Sequence, residues 1–253
     1  MRKIPSICAA LSLALMSACT EVEVLTSSHL PDSTRPMDDP GKPSISLSQL
    51  KRIQAESGKP LNRHCDRNGS TLEVDREKQE TSDWCWAATS RMVMTYHNGR
   101  TEQAIHDQCK IVSTIVDSES SRVTCCPGET AASKTECMGG GWPSVVFERY
   151  GFDYEVVGQA LDWESLKKEI CGHGPFLYVI DLRGGGRHAL VVTGFNSVEE
   201  VVQTYDPTRD DFSVKTYDEF VGDLPDTDDS TSSYGIAHYR DYVQISPKIE
   251  DQP

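Results

Sequence analysis

Seven cysteines lie beyond residue 60 of this 253-residue chain: Cys65, Cys85, Cys109, Cys125, Cys126, Cys137 and Cys171. An odd set cannot all pair within one chain, so at most three bridges form and one thiol is left over. Cys125 and Cys126 are adjacent and do not readily bridge each other, so they take different partners. Cys109 and Cys137 are the nearest in sequence, and Cys65 with Cys171 then forms a long-range bridge. Any such set makes the stretch from Cys109 to Cys137 a stapled, irregular excursion. It also pins the start of the folded region to a point far downstream.

The beginning of the chain supports disulfides over metal. Met1-Arg2-Lys3 is a short positive start, an apolar stretch runs from Ile7 to Met16, and Ser17-Ala18 precede Cys19. This is an export signal spanning residues 1–18, too short to cross a bilayer as a helix. Its end resembles a bacterial lipobox, in which Cys19 is lipidated and becomes the mature N-terminus. Thr20 after it suggests an outer membrane where the cell has one. Ordinary cleavage near Ala18, giving a secreted protein, is the alternative. Cys8 leaves with the signal. An exported chain meets a disulfide-permissive compartment. Cys125-Cys126 also lacks the C-x-x-C spacing of a zinc knuckle, so no metal is called for.

Cys85 is the candidate for the leftover thiol. It sits in the run Gln79-Glu80-Thr81-Ser82-Asp83-Trp84-Cys85-Trp86-Ala87-Ala88. With Ser82 or Asp83 as N-cap, the apolar positions Trp84, Ala88, Met92 and Tyr96 recur at helical spacing up to Asn98-Gly99. Cys85 then falls in the first turn, where the helix dipole favours thiolate over thiol. Gln79, six residues upstream, carries an amide that can donate to an oxyanion formed at an attacked carbonyl.

The rest of the chain divides into helices first and strands later. Residues 19–60 are rich in Ser, Pro and Asp and read as a disordered tether, with a short helix possible over 48–56. The folded domain is expected over 61–246, followed by a tail at 247–253. Thr101 caps a second helix through Cys109, and Pro143 opens another that Gly151 stops. Strands are expected near 154–157, 176–180, 188–195, 201–205, 213–217 and 239–245, with a helix over 162–170. Segregated helices and an antiparallel sheet define an α+β class. Acidic residues outnumber basic ones by 39 to 25, and no basic patch interleaved with aromatics occurs. Nucleic acid is therefore excluded as a partner. The acidic run Asp226-Thr227-Asp228-Asp229 lacks the spacing of an EF-hand loop.

A cysteine nucleophile needs a base, and the base an orienting group. His188 opens an apolar strand after the loop Arg183-Gly184-Gly185-Gly186-Arg187, and Asp206 ends the next strand before Pro207. Neighbouring strands would set the two side by side. His64, His97, His106 and His173 lie in helical, entry or turn segments, and His238 is a second choice.

Gln79, Cys85-Trp86, His188 and Asp206 together resemble the papain-like cysteine proteases. The Trp84-Cys85-Trp86-Ala87-Ala88 run with Asp206-Pro207 resembles the bacterial avirulence-protein subgroup. The resemblance implies a two-lobed α+β fold: a helical lobe carries the cysteine helix, and an antiparallel sheet or barrel lobe carries His188 and Asp206. It further implies an exported cysteine endopeptidase without cofactor, acting as a monomer on protein or peptide substrates. In it Cys85 is nucleophile, His188 base and then acid, Asp206 orienter and Gln79 oxyanion donor. A lipid on Cys19 would add membrane attachment. A thiol-dependent processing amidase or transpeptidase of the cell envelope is the alternative enzyme. A disulfide-rich surface binding protein with a bridged or unreactive Cys85 is the alternative without turnover.

Overall fold

Phe176–Asp181 and Arg187–Asn196 are nearly continuous apolar runs, and such strands are stable only when covered on both faces. A computed structural model places them at the centre of a sheet. It describes residues 38–57, 65, 68–98, 105–116, 124–127, 137–182, 185–222 and 237–248. The signal, Cys19 and the remainder of the leader up to Met37 lie outside the described residues, as does the run Asp226–Asp229.

In chain order the described elements are α1 (Leu47–Glu56), β1 (Gly69–Thr71), α2 (Cys85–Asn98), α3 (Gln108–Val116), α4 (Pro143–Arg149), β2 (Phe152–Val157), α5 (Trp163–Gly172), β3 (Phe176–Asp181), β4 (Arg187–Asn196), β5 (Val201–Asp206), β6 (Asp211–Thr216), α6 (Tyr217–Val221) and β7 (Ala237–Pro247). Six strands run in the order β2-β7-β3-β4-β5-β6, and β1 pairs with the far end of β4. All pairings between these described strands are antiparallel. Leu190, Val191, Val192 and Phe195 of β4 are buried, as are Phe176, Leu177, Tyr178 and Val179 of β3. Gly194 lets β1 approach, because a Cβ there would strike the Ser70 carbonyl. The expected α+β division therefore holds, with α2, α3 and α4 preceding most of the sheet.

Element ends moved where local chemistry decides them. The helix expected from Thr101 begins at Gln108, with the Asp107 carbonyl accepting from the Ile111 N–H. Residues 105–107 are not helical, and 101–104 lie outside the described residues. Beyond β6 the chain turns into α6 rather than extending to Tyr217. Thr216 and Glu219 form a reciprocal capping box there, which satisfies the first-turn N–H groups.

The larger correction concerns the tether. Residues 38–57 belong to the folded unit, which therefore begins well before Leu61. Ser46 and Gln49 cap α1 reciprocally, and Leu50 is completely buried. Ile45 bridges to Val157 on β2. The Asp39 carboxylate, fully buried, accepts from Arg240 Nη1 at 2.7 Å, Tyr242 Oη at 2.7 Å, the Gly41 N–H at 2.9 Å and Ser144 Oγ. One polar side chain with four donors anchors a segment whose composition alone is too polar to order itself. Asp39→Ala leaves the Arg240 guanidinium without this partner in a largely buried site. A loss of about 3 kcal/mol is expected, read as an earlier urea midpoint. An unchanged midpoint would show that the segment is only draped on the domain.

The three disulfides are Cys65–Cys171, Cys109–Cys126 and Cys125–Cys137. Adjacent cysteines do take different partners, and Cys65 pairs with Cys171 as expected.

Candidate active site

The loop 79–84 delivers Cys85 to the start of α2. Its Trp84 carbonyl accepts from the Ala87 and Ala88 N–H groups at 3.0 and 2.9 Å. The Trp84 indole N–H donates to the Cys137 carbonyl at 2.7 Å, tying the disulfide-rich excursion to the loop. Cys85 is buried at 8 % exposure and is the free cysteine among the described residues. Cys85 stands at the N-terminus of α2, the end at which a helix carries partial positive charge.

His188, in β4, and Asp206, at the end of β5, meet across adjacent strands. His188 Nε2 lies 2.8 Å from Asp206 Oδ1, and both side chains are 8 % exposed. That bond occupies Nε2 and leaves Nδ1 for the hydrogen bond that His188 makes with Cys85. Burial alone would lower the imidazole pKa, but the bonds to Asp206 and Cys85 outweigh it and push it from 6.5 up to about 9. Burial likewise opposes ionisation of Asp206. The His188 bond and charge, the Thr208 N–H and Arg209 overcome it and hold the carboxyl below its ordinary range. The sheet and the helix thus bring Cys85, His188 and Asp206 together, with His188 between the other two.

Gln79 lies buried in the loop that precedes Cys85. Its side-chain Nε2 donates to the Thr81 carbonyl at 2.7 Å and to the Ser82 carbonyl at 2.8 Å. Its Oε1 accepts from Thr208 Oγ1 at 2.9 Å. These bonds tie the side chain to its own loop and to the turn after Asp206.

A cleft of about 420 Å³ opens over Cys85 and His188. Gly140 and Gly141 form one wall, and Gly185, Gly186 and Arg187 the other, so both glycine-rich segments border it. Arg183 and Gly184 lie outside the described residues. Gly141 lies flat on the Trp86 indole, where a Cβ would come within 2.6 Å of the ring. Gly185 and Gly186 have φ of +86° and +85°, which favour glycine. His238 takes no part: its Nε2 meets Asp241 Oδ1 at 2.9 Å and its Nδ1 donates to the Phe220 carbonyl.

Sequence reasoning missed Thr208. Its N–H donates to Asp206 Oδ1 at 2.9 Å and the residue lines the cleft. Asp206 accepting from the N–H two residues on is an Asx-turn, so the Asp-Pro-Thr run carried a readable signal.

These findings define a cysteine peptidase. Residues 71–223 match the model of the Peptidase_C39 like family, and the chain belongs to that family. No curated protein matches the sequence. Solved structures similar to it include xylellain, a cysteine protease from Xylella fastidiosa, at 14 % identity and TM-score 0.48, covering 85 % of this chain and 95 % of that one. Another is the peptidase domain of Streptococcus ComA, a bifunctional ABC transporter involved in quorum sensing, at 10 % identity and TM-score 0.43, covering 70 % and 100 %. A third is proCathepsin B S9 from Trypanosoma congolense, at 12 % identity and TM-score 0.41, covering 81 % and 90 %. The arrangement of a cysteine helix ahead of a sheet bearing histidine and aspartate fits the papain-like α+β fold.

Proposed function

We propose that this protein is an exported endopeptidase that cleaves peptide bonds through a thioester on Cys85. The observation that carries the reading is the buried line from Cys85 through His188 to Asp206. The Cys85 sulfur attacks the peptide carbonyl carbon, and the carbonyl oxygen takes up the negative charge at the Cys85 N–H. The C–N bond breaks as His188 Nδ1 gives its proton to the leaving amine. Neutral His188 then takes a proton from water, which attacks the thioester and releases the carboxylate. The thiolate and imidazolium are restored. Asp206 holds the ring by Nε2 throughout, so that Nδ1 remains the nitrogen that faces the sulfur.

Both cleft walls are glycine-rich, which leaves room for an extended peptide backbone. Three disulfides support work outside the reducing cytosol. The lipobox-like end of the leader supports attachment through Cys19, at the outer membrane where one exists. The Trp84–Ala88 run supports the avirulence-type resemblance within the papain-like proteases.

Titrating the protein with iodoacetamide is expected to modify Cys85 and to remove casein hydrolysis in proportion. Full modification with full activity sinks the reading. The alkaline limb of kcat/KM is expected near pH 9, where His188 loses the proton needed by the leaving amine. The sign for stability is the same. A histidine whose pKa is raised in the folded state stabilises fold below about 6.5 and loses that contribution as pH rises through about 9. A flat profile between pH 8 and about 10 would remove His188 as the acid.

A further inference from the structure

Arg187 stands next to His188 on β4 and lines the same cleft. Among the described residues, its one hydrogen bond runs from Nε to Asp181 Oδ1 at 3.0 Å. Its Cζ lies 3.6 Å from the centre of the Tyr239 ring. It lies 5.2 Å from the centre of the Trp142 ring, in the residue that follows the Gly140-Gly141 wall. Aromatic faces attract a cation without using up its N–H groups. Nη1 is enclosed with no hydrogen-bond partner. With Nε taken by Asp181, Nη2 is the donor left for a bound molecule.

Arg240 provides the contrast, because it lies on the same two rings with its charge fully answered. Its Cζ is 4.3 Å from the Tyr239 centre and 5.2 Å from the Trp142 centre. Its Nη1 donates to the buried Asp39 carboxylate at 2.7 Å, and its Nη2 to Tyr239 Oη at 2.5 Å. The counter-charge of Arg187 is weaker. The Asp181 side chain is 42 % exposed, so water screens part of its pull. The Arg187 side chain is 16 % exposed, and charges held partly out of water attract an anion with less screening. A guanidinium fixed on aromatic faces, with a donor to spare, is pre-organised for a carboxylate. Besides His188, the cleft's other charged residue is Asp83, in the loop before Cys85, whose carboxylate accepts from Ser82 Oγ at 2.8 Å. The cleft is therefore polarised, negative at that loop and positive beside His188.

We propose that Arg187 is a specificity-determining residue: it draws an aspartate or glutamate side chain of the substrate to the His188 side of the cleft. This inference rests on the peptidase reading above and names the substrate class of that site, an acidic peptide. Residues of an extended chain advance by about 3.3 Å each, and Arg187 is the neighbour of His188. The acidic residue therefore lies within about three positions of the scissile bond. Trp142 and Tyr239 hold the guanidinium in place for it.

The test digests a synthetic peptide mixture of random sequence with the full chain near neutral pH. Mass spectrometry reads the residues on either side of each cut. The wild type is expected to favour Asp and Glu over Asn and Gln at one flanking position by about tenfold, the low end for a hydrogen bond between charged partners because Asp181 shares the guanidinium. Arg187→Gln is expected to lose that preference, and Arg187→Glu to reverse it in favour of Lys and Arg. Each ratio is read within one variant, so a general fall in turnover does not imitate it.

If Arg187 only joins β4 to Trp142, its variants melt earlier or turn over more slowly and keep the wild-type ratio, and the inference is overturned. The wild-type profile decides by itself if neither variant folds: equal cutting of acidic and amide-bearing sequences at every flanking position overturns the inference and leaves the peptidase reading standing. A wild type that cuts no peptide, and whose Cys85 alkylates no faster than a free thiol, defeats the peptidase reading itself.

Discussion

Cys85→Ala is expected to lower peptide hydrolysis by on the order of 10⁵- to 10⁶-fold, while the variant unfolds at the wild-type temperature. The loss is this large because every step of the proposed chemistry passes through the sulfur. Without a nucleophile, the helix terminus and His188 act only on water. The residual rate reflects binding and charge stabilisation in the cleft. Removing His188 in the same variant should cost little more, because residues that act as a unit are not additive. Stability is expected to change little, because Cys85 is small, sits at a cleft wall and makes no disulfide. A steady-state assay on a casein-type substrate beside a thermal melt reads both quantities. Wild-type turnover in Cys85→Ala would show that Cys85 is not the nucleophile.

The second large effect is on stability. The Cys65–Cys171 bridge closes a loop with a sequence separation of 106 and joins the segment before β1 to the last turn of α5. A cross-link of that span restricts the unfolded chain by roughly 4.7 kcal/mol. The double variant Cys65→Ala/Cys171→Ala is expected to melt roughly 10–20 °C lower under non-reducing conditions. The pair Cys109–Cys126, separated by 17 residues, spans a much shorter loop and should cost about 3 kcal/mol. Calorimetry on the two double variants compares them directly. Equal shifts would mean that local packing around the bridges dominates over the length of chain they close.

The features readable along the chain were those decided by near neighbours. Trp84, Ala88, Met92 and Tyr96 mark a helix by their spacing, and α2 runs from Cys85 to Asn98. Pro143 and Gly151 bracket α4, where Gly151 takes φ +69°. The apolar runs at 176–180 and 188–195 became β3 and β4 with ends moved by one residue. His188 and Asp206 could be named because each closes or opens such a run beside a turn. The segment 38–57 departs from the expected tether for a physical reason. Its order comes from Asp39, whose partners Arg240 and Tyr242 stand at the other end of the chain. A window of local composition registers its prolines and serines, and nothing of that distant guanidinium.

The same division runs through the site. Cysteine parity, the helix cap and the strand ends, taken together with the resemblance they add up to, single out Cys85, His188 and Asp206 from the amino-acid order, because these are properties of residue type and short spacing. The direction in which the Gln79 amide points is of another kind. It depends on Thr208, 129 residues away, and on two carbonyls whose orientation exists only once the loop has closed. A donor's identity is written in its side chain, but its acceptor is chosen by the packing that brings distant strands and loops together.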